Sequence, residues 1–537
     1  MRFTRPLRRA ASVPLALVLL GSLLTPAAQA ATPRTAPPAP AGEVRGYIDA
    51  HTHLMSYEAF GGSLMCGKPF DPRGIPAALR DCPDHAGNGV LAWWENFTRH
   101  GTPFGTHDPA GWPAFKDWPA WDSRTHQQAH YTWLERSWRA GQRILVNHLV
   151  ANRQLCEIYP LKRNACDEMD AVRLQAERMR EMEAYIDGRN DGDGWFRIVR
   201  NAAEARDVIE AGKLAVVLGV EASEPFGCRV IGGEPQCTRQ DIDRGLDEMK
   251  RLGVSSMFVC HKFDNALCGV RFDGGTTGAF VNTGNFLGTG RFWQVEECTG
   301  DAHDHAITPA GGAGDALRDL LRLLGRAGVT LPLYPSPPHC NVHGLSGLGE
   351  HMVRGLMERN MIVEVDHMSA KAADRTLDLL EAARYPGVIS SHSWTDETYL
   401  PRIYRLGGMV AGYGHTADRF IAEWRRNKVL RDPARPFGYG YGLDANGMGA
   451  LPAPRGDDAN PLRYPFTSPF DPSVELDRQR TGTRTWDLNT DGVANYGLVP
   501  DWLADIRNVG GQEIIDDMAR GAETYLDMWH HTENHGA

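Results

Sequence analysis

Seven short segments of this chain are almost wholly apolar, and six of them run directly into a histidine, glutamate or aspartate. They are Gly46–Leu54 (GYIDAHTHL), Leu214–Glu221 (LAVVLGVE), Val254–His261 (VSSMFVCH), Ile362–His367 (IVEVDH), Gly387–His392 (GVISSH), Gly408–Gly412 (GMVAG) and Gly440–Asp444 (GYGLD). Short runs without polar alternation are the mark of strands buried on both faces, which occur in parallel sheets covered by helices. Helical periodicity at Asp167–Ile186, Gly349–Arg359 and Ala370–Ala383 supplies crossovers between several of them. The polar ends decide between architectures. A doubly wound sheet brings only a few neighbouring strand ends together, whereas a closed barrel gathers all of them at one rim. The expectation is α/β: a (β/α)8 TIM-type barrel with large insertions.

The rim residues are His51, His53, Glu221, His261, His367, His392 and Asp444. In a strand, positions i and i+2 share a face, so His51 and His53 can bind one ion together. A carboxylate such as Glu221 can bridge two cations, and His367 with His392 can hold the second. Nitrogen and oxygen donors in this mix suit two divalent ions, Zn²⁺ first. Two such ions polarise a shared water into hydroxide near neutral pH and clamp the substrate oxygen.

With these residues in place the sequence resembles the membrane dipeptidase (renal dipeptidase-like, peptidase M19) branch of the amidohydrolase superfamily. The matching stretches are Ile48–His53 (IDAHTH), Leu218–Glu221 (LGVE), Met257–Asn265 (MFVCHKFDN), Glu364–Ser369 (EVDHMS), Ser391–Ser393 (SHS), Gly442–Gly447 (GLDANG) and Tyr496–Asp501 (YGLVPD). They occur in the family's order over roughly residues 46–529. The resemblance implies that His51 and His53 hold the first metal, with His53 standing where the family has Asp. Glu221 would bridge, and His367 and His392 would hold the second metal. His261 would bind the substrate and polarise the scissile carbonyl, and Asp444 would orient the water and pass its proton to the leaving amine. Arg402, ten residues past His392, would bind the substrate's terminal carboxylate, although Ile403 follows it where the family has Asn.

The function so expected is an exported binuclear hydrolase. It would cleave the amide bond of dipeptides, or of similar small carboxylate-bearing substrates, by metal-bound hydroxide. Two alternatives stand beside it: a lactonase or other non-peptide amidohydrolase using the same site, and an exported binding protein that keeps the barrel without turnover. Export is read from residues 1–30, where Arg2, Arg5, Arg8 and Arg9 precede the apolar run Val13–Leu24 and Ala28-Gln29-Ala30. Residues 31–45 then form a flexible Pro- and Ala-rich mature N-terminus, 46–529 a single barrel, and 530–537 a polar tail. Residues 55–140 read as an insertion whose tryptophans serve core and lid packing.

The net charge of −10 disfavours a nucleic-acid partner, and no later stretch is apolar enough for a transmembrane span. A small molecule or dipeptide is the expected partner, with a homodimer left open. The ten cysteines suit an oxidising compartment. Proximity pairs Cys66 with Cys82, Cys156 with Cys166, Cys228 with Cys237 and Cys268 with Cys298, leaving Cys260 and Cys340. Asp487–Asp491 copies the opening of a calcium loop, but Leu498 stands where a bidentate Glu is required. An Asx-rich turn is therefore the default there and structural Ca²⁺ the minor reading. The run Asp301–His305 (DAHDH) reads as a solvated loop, and His339 and His343 as shaping the loop before a helix. GxSxG, P-loop and HExxH patterns are absent from the sequence.

Overall fold

The structure, a computed structural model, describes residues 42–103, 105–307, 332, 334–457 and 459–536. The secretory signal expected at 1–30 and most of the segment 31–45 lie outside the described residues. Nine parallel strands form the central sheet: β1 (Tyr47–Thr52), β2 (Gln142–Ala151), β3 (Phe196–Val199), β4 (Leu214–Ala222), β5 (Val254–Phe258), β6 (Ile362–Glu364), β7 (Val388–Ser390), β8 (Met409–Tyr413) and β9 (Gly440–Gly442). Pairing runs β1-β2-β4-β5-β6-β7-β8-β9 and returns to β1 through Asp49↔Tyr441, so eight strands close a barrel. The ninth, β3, pairs with the first half of β4, and β5 takes over the same edge from Leu218 onward.

Helices cover the barrel: α1 (Glu168–Gly188), α2 (Ala202–Glu210), α3 (Arg239–Leu252), α4 (Gly347–Glu358), α5 (Ala370–Ala383), α6 (Leu400–Leu406), α7 (Ala417–Leu430) and α8 (Gly521–Glu533). Local chemistry sets their ends. A Thr238–Asp241 capping box opens α3, and Gly253 in the left-handed region at φ 82° closes it. Along α1, Val172, Ala176, Met179 and Ile186 fall at helical spacing and are buried, which turns one stripe onto the barrel.

The barrel interior is layered. Ile48, Ala50, Ile144, Val146, Ala215, Val217, Ile362, Ile389, Met409 and Ala411 form its apolar lower core with Tyr525 and Trp529 of α8. That last helix lies across the N-terminal mouth. Gly46 N donates to Ala519 O at 2.8 Å just before α8, and Asn360 Nδ2 to Glu533 O at 2.9 Å. Above the apolar layer the same inward positions turn polar at His148, Glu364 and Ser391, with Gly219 beside them. Gly219 lacks a side chain because the His148 ring fills its place; a Cβ there would lie 2.4 Å from His148 Cδ2.

One irregularity in β1 re-aims its end. Asp49 pairs with Leu145, but Thr52 pairs with Asn147, so three steps of β1 match two of β2. This bulge lets Ile48 and Ala50 face the interior and then His51 and His53 face it as well; strict alternation would send one pair outward. Asp49 points the other way, accepting from Tyr496 OH at 2.8 Å and Leu443 N at 3.2 Å.

Two connections are long. Residues 53–141 join β1 to β2, and residues 259–361 join β5 to β6. Three of the expected disulfides are present, Cys66–Cys82, Cys156–Cys166 and Cys228–Cys237. The expected Cys268–Cys298 bond is not. Cys260 pairs with Cys268 and Cys298 with Cys340, because the antiparallel pair Val295–Glu297 and His339–Asn341 brings the last two side by side. Such a pairing across 42 residues has no signature in local spacing. The Asp301–His305 run also departs from a solvated loop. Asp304 is buried and accepts from Asn341 N at 2.7 Å and Ala370 N at 2.9 Å. His339 is structural as expected, its Nδ1 accepting from Ile307 N at 3.0 Å.

Candidate metal centre

The strands end earlier than their apolar runs suggest, and several chemical residues sit in the turns just beyond. His367 and Asp444 adopt φ of 64° and 52°, in the left-handed region that non-glycine residues rarely occupy. Their positions, three residues past β6 and two past β9, bring both side chains to the cluster around Glu221. Gly447 makes room for this, since a Cβ there would fall 1.7 Å from Asp444 Oδ1.

Glu221 lies at the middle of the cluster and is buried. Its Oε2 is 3.3 Å from His53 Nε2 and 3.6 Å from His51 Nε2. Its Oε1 is 3.4 Å from His367 Nε2 and 3.6 Å from His261 Nε2. His392 Nε2 is 2.9 Å from His367 Nε2, and Asp444 Oδ1 is 3.1 Å from His53 Nε2. Seven of the eight expected site residues therefore meet: His51, His53, Glu221, His261, His367, His392 and Asp444.

The eighth does not. Arg402 lies on α6, where its guanidinium binds Asp374, Asp378 and Glu381 at 2.7–2.9 Å. Those carboxylates sit at i, i+4 and i+7 on one face of α5 and hold the two helices together. The cavity above the centre does not include Arg402. The expected carboxylate-binding role is corrected on this ground.

Groups behind the cluster orient it. His51 Nδ1 is 3.0 Å from Ser391 Oγ, His53 Nδ1 is 2.9 Å from His148 O, and His392 Nδ1 is 2.8 Å from Asp366 Oδ2. Asp366 also accepts from His392 N and Ser390 Oγ. Such partners fix which ring nitrogen faces inward. His148 Nε2 in turn is 3.0 Å from Glu364 Oε1. Sequence reasoning missed strand β2 and His148, because its polar residues fall in mid-strand rather than at the end. Asp366 was overlooked although it adjoins His367.

Burial pushes Glu221 up and pushes His51, His261 and His367 well down. Burial also opposes charge on His392, but Asp366 beside it outweighs this and holds it up at about 9. For Asp444, burial is outweighed by the bond to His53, which lowers it. The cluster thus sets neutral imidazoles at His51, His261 and His367 beside two rings, His53 and His392, that the neighbouring carboxylates hold up.

Glu221 Oε1 is buried without a hydrogen-bond partner among the described residues, and imidazole nitrogens face it. A buried carboxylate oxygen in that position is costly unless a cation meets it. The residues fit metal ions, and His, Glu and Asp donors are the set Zn²⁺ takes.

A cavity of about 1310 Å³ opens above the centre. Trp93, Trp94 and Trp121 of the β1–β2 connection wall it, whereas Trp118 and Trp133 are buried in the core, so that aromatic segment serves both packing and lid. Arg124, Lys262 and Arg271 are among its cations. Lys262 pairs with Asp273 at 3.0 Å and Arg271 with Asp396 at 3.3 Å. Arg124 carries no side-chain ion pair among the described residues, and its Nε is buried without a partner. At Asp487–Asp491 the carboxylates are used internally. Asp487 caps the short helix Leu488–Asp491 and lies 2.7 Å from Arg478, which is the Asx-type turn expected there. No helix among the described residues is long and apolar enough to cross a membrane.

No protein-family model matches the chain, and no curated protein does. Solved structures do. A dipeptidase of metallopeptidase family M19 aligns at 13% identity with a TM-score of 0.44, over 91% of this chain and 100% of its own. A metallopeptidase from Rhodobacter sphaeroides, liganded with a phosphinate mimic of the dipeptide L-Ala-D-Ala, aligns at 12% identity and 0.45, over 91% and 100%. An amidohydrolase from Pseudomonas aeruginosa aligns at 12% identity and 0.41, over 76% and 94%.

Proposed function

We propose that this chain is an exported, metal-dependent hydrolase that cleaves the amide bond of dipeptides or of similarly small substrates bearing a carboxylate. The observation that carries the reading is Glu221, whose two oxygens face two separate sets of imidazole nitrogens at the floor of a large cavity. His51 and His53 would hold one divalent ion, His367 and His392 the other, and Glu221 both. Bound there, the ions supply Lewis acidity for the scissile carbonyl and acidify water enough for attack near neutral pH.

This chain's own groups supply the remaining steps. Asp444 takes a proton from the attacking water at its carboxylate and delivers it to the leaving amine. His261 lines the cavity beside Glu221 and donates to the carbonyl oxygen as charge develops. Arg124, half-buried and without an ion pair among the described residues, binds the substrate carboxylate in the role first expected of Arg402. The disulfides, with no free cysteine among the described residues, support export to an oxidising compartment.

A panel of dipeptides, tested on protein shown to carry two metal ions per chain, decides the matter. Hydrolysis is expected. Asp444→Asn should keep both ions and lower kcat by roughly 10²–10⁴-fold. Arg124→Ala should raise KM for carboxylate substrates while leaving metal content unchanged. No cleavage of any dipeptide by fully loaded protein would refute the peptide reading. A second reading then stands on the cavity, which at about 1310 Å³ exceeds the roughly 300–1000 Å³ usual for small-molecule pockets. Larger lactones or N-acyl amides would be its substrates.

A further inference from the structure

The β1–β2 connection contains another convergence of histidines, none of which belongs to the centre around Glu221. His85 ends a short helical turn at Pro83–His85, His107 lies in an extended loop, and His126 follows Thr125. One nitrogen from each ring lies within 4.8 Å of the other two. The rings stand nearly perpendicular, at 81–83° to one another.

Each ring is anchored through its other nitrogen. His85 Nε2 is 3.0 Å from Leu64 O, His107 Nδ1 is 3.4 Å from Asn96 Oδ1, and His126 Nδ1 is 2.8 Å from Glu95 Oε2. All three anchors are oxygens that accept, so each anchored nitrogen carries the proton. The opposite nitrogens, His85 Nδ1, His107 Nε2 and His126 Nε2, are then lone pairs. They are buried and have no hydrogen-bond partner among the described residues.

The large majority of buried side-chain polar atoms find a hydrogen-bond partner in protein or water, and three unpartnered ring nitrogens in one cluster call for an explanation. Three lone pairs on rings this close repel, and nothing among the described residues relieves them. A cation would. Metal-binding histidines donate their second N–H to a carbonyl, an amide oxygen or a carboxylate, as these three do. Burial pushes His85 down to about 3 and His107 to about 4, so both rings are neutral at physiological pH. Gly89 permits the approach, since a Cβ there would collide with the His107 ring.

We propose that His85, His107 and His126 bind a further transition-metal ion, of the zinc class, and that this ion fixes the aromatic wall of the cavity. Three imidazoles leave one coordination position for water. The Cys66–Cys82 sulfurs lie close to His126 but are joined in a disulfide, so they offer no thiolate. The link to the wall is short. Glu95, which anchors His126, also accepts from Thr125 N and Oγ1, and its neighbour Trp94 and Thr125's neighbour Arg124 both line the cavity.

Zinc-edge anomalous diffraction from the wild-type chain soaked with excess Zn²⁺ tests the site directly. A peak among the three rings is expected, and its absence would overturn the proposal. In solution, His107→Ala should bind one equivalent of zinc fewer than wild type. Glu221→Gln should lose metal at the main centre yet retain that one equivalent. A folded His107→Ala protein with unchanged stoichiometry would also overturn the assignment. Should this variant fail to fold, the diffraction from wild type decides alone.

Discussion

Asp304 is a carboxylate buried among backbone donors, and its ionisation is coupled to stability. Burial pushes it up to about 6 from the ordinary 3.8. The folded state therefore holds this proton more tightly than the unfolded chain does. The resulting stabilisation is complete below about pH 3.8 and is lost as pH rises through 6. Asp304→Asn should show a smaller fall in unfolding midpoint between pH 4 and pH 7 than wild type, measured by thermal melts across that range. Gly219 poses a steric case. Its inward face is occupied by the His148 ring, which cannot move without breaking the contact to Glu364. Gly219→Ala should cost about 1–3 kcal/mol in denaturant unfolding, although replacing a mid-strand glycine by alanine is otherwise favourable.

At the level of elements, the bulge in β1 and the turns after β6 and β9 do the positioning. A strand alone offers one inward residue in two, which is too few to bring His51, His53 and the apolar layer beneath them onto one face. The extra residue between Asp49 and Thr52 removes that limit. Helices α5 and α6 supply the opposite example, where charge serves structure. Arg402 bridges three carboxylates of α5 and is 16% exposed. Arg402→Ala should therefore lower stability by about 1 kcal/mol and leave KM for a carboxylate substrate unchanged. A large rise in KM would return Arg402 to the substrate.

For the whole molecule, the candidate centre lies at one mouth of the barrel and closure at the other. The candidate metal ligands, the cavity and the tryptophan wall lie at or beyond the C-terminal strand ends, as the barrel topology dictates. The opposite mouth is covered by α8, with Trp529 fully buried against the interior core. Trp529→Ala should cost about 3–5 kcal/mol, because the barrel floor cannot collapse into the space left. Denaturant unfolding reads this directly. Metal content of the folded variant should be unchanged, because the polar layer separates the floor from the centre.

Much of this was legible in the chain itself. Apolar runs ending in His51, Glu221, His261, His367, His392 and Asp444 implied a parallel barrel and one shared rim, because periodicity and burial are written locally. The Ala370–Ala383 helix was readable for the same reason, and it forms over those residues. Other features depended on distant segments meeting. Strand β2 hides its polar residues in mid-run, and His148 acquires meaning only when Glu364, 216 residues away, meets it. Arg402 looked like a substrate ligand until α5 supplied its three partners. The Cys298–Cys340 bond and the convergence of His85, His107 and His126 likewise arise from loop paths that no local pattern encodes. Local sequence fixes which faces are apolar; only the closed fold decides where the strands stop and which polar groups are left facing one another.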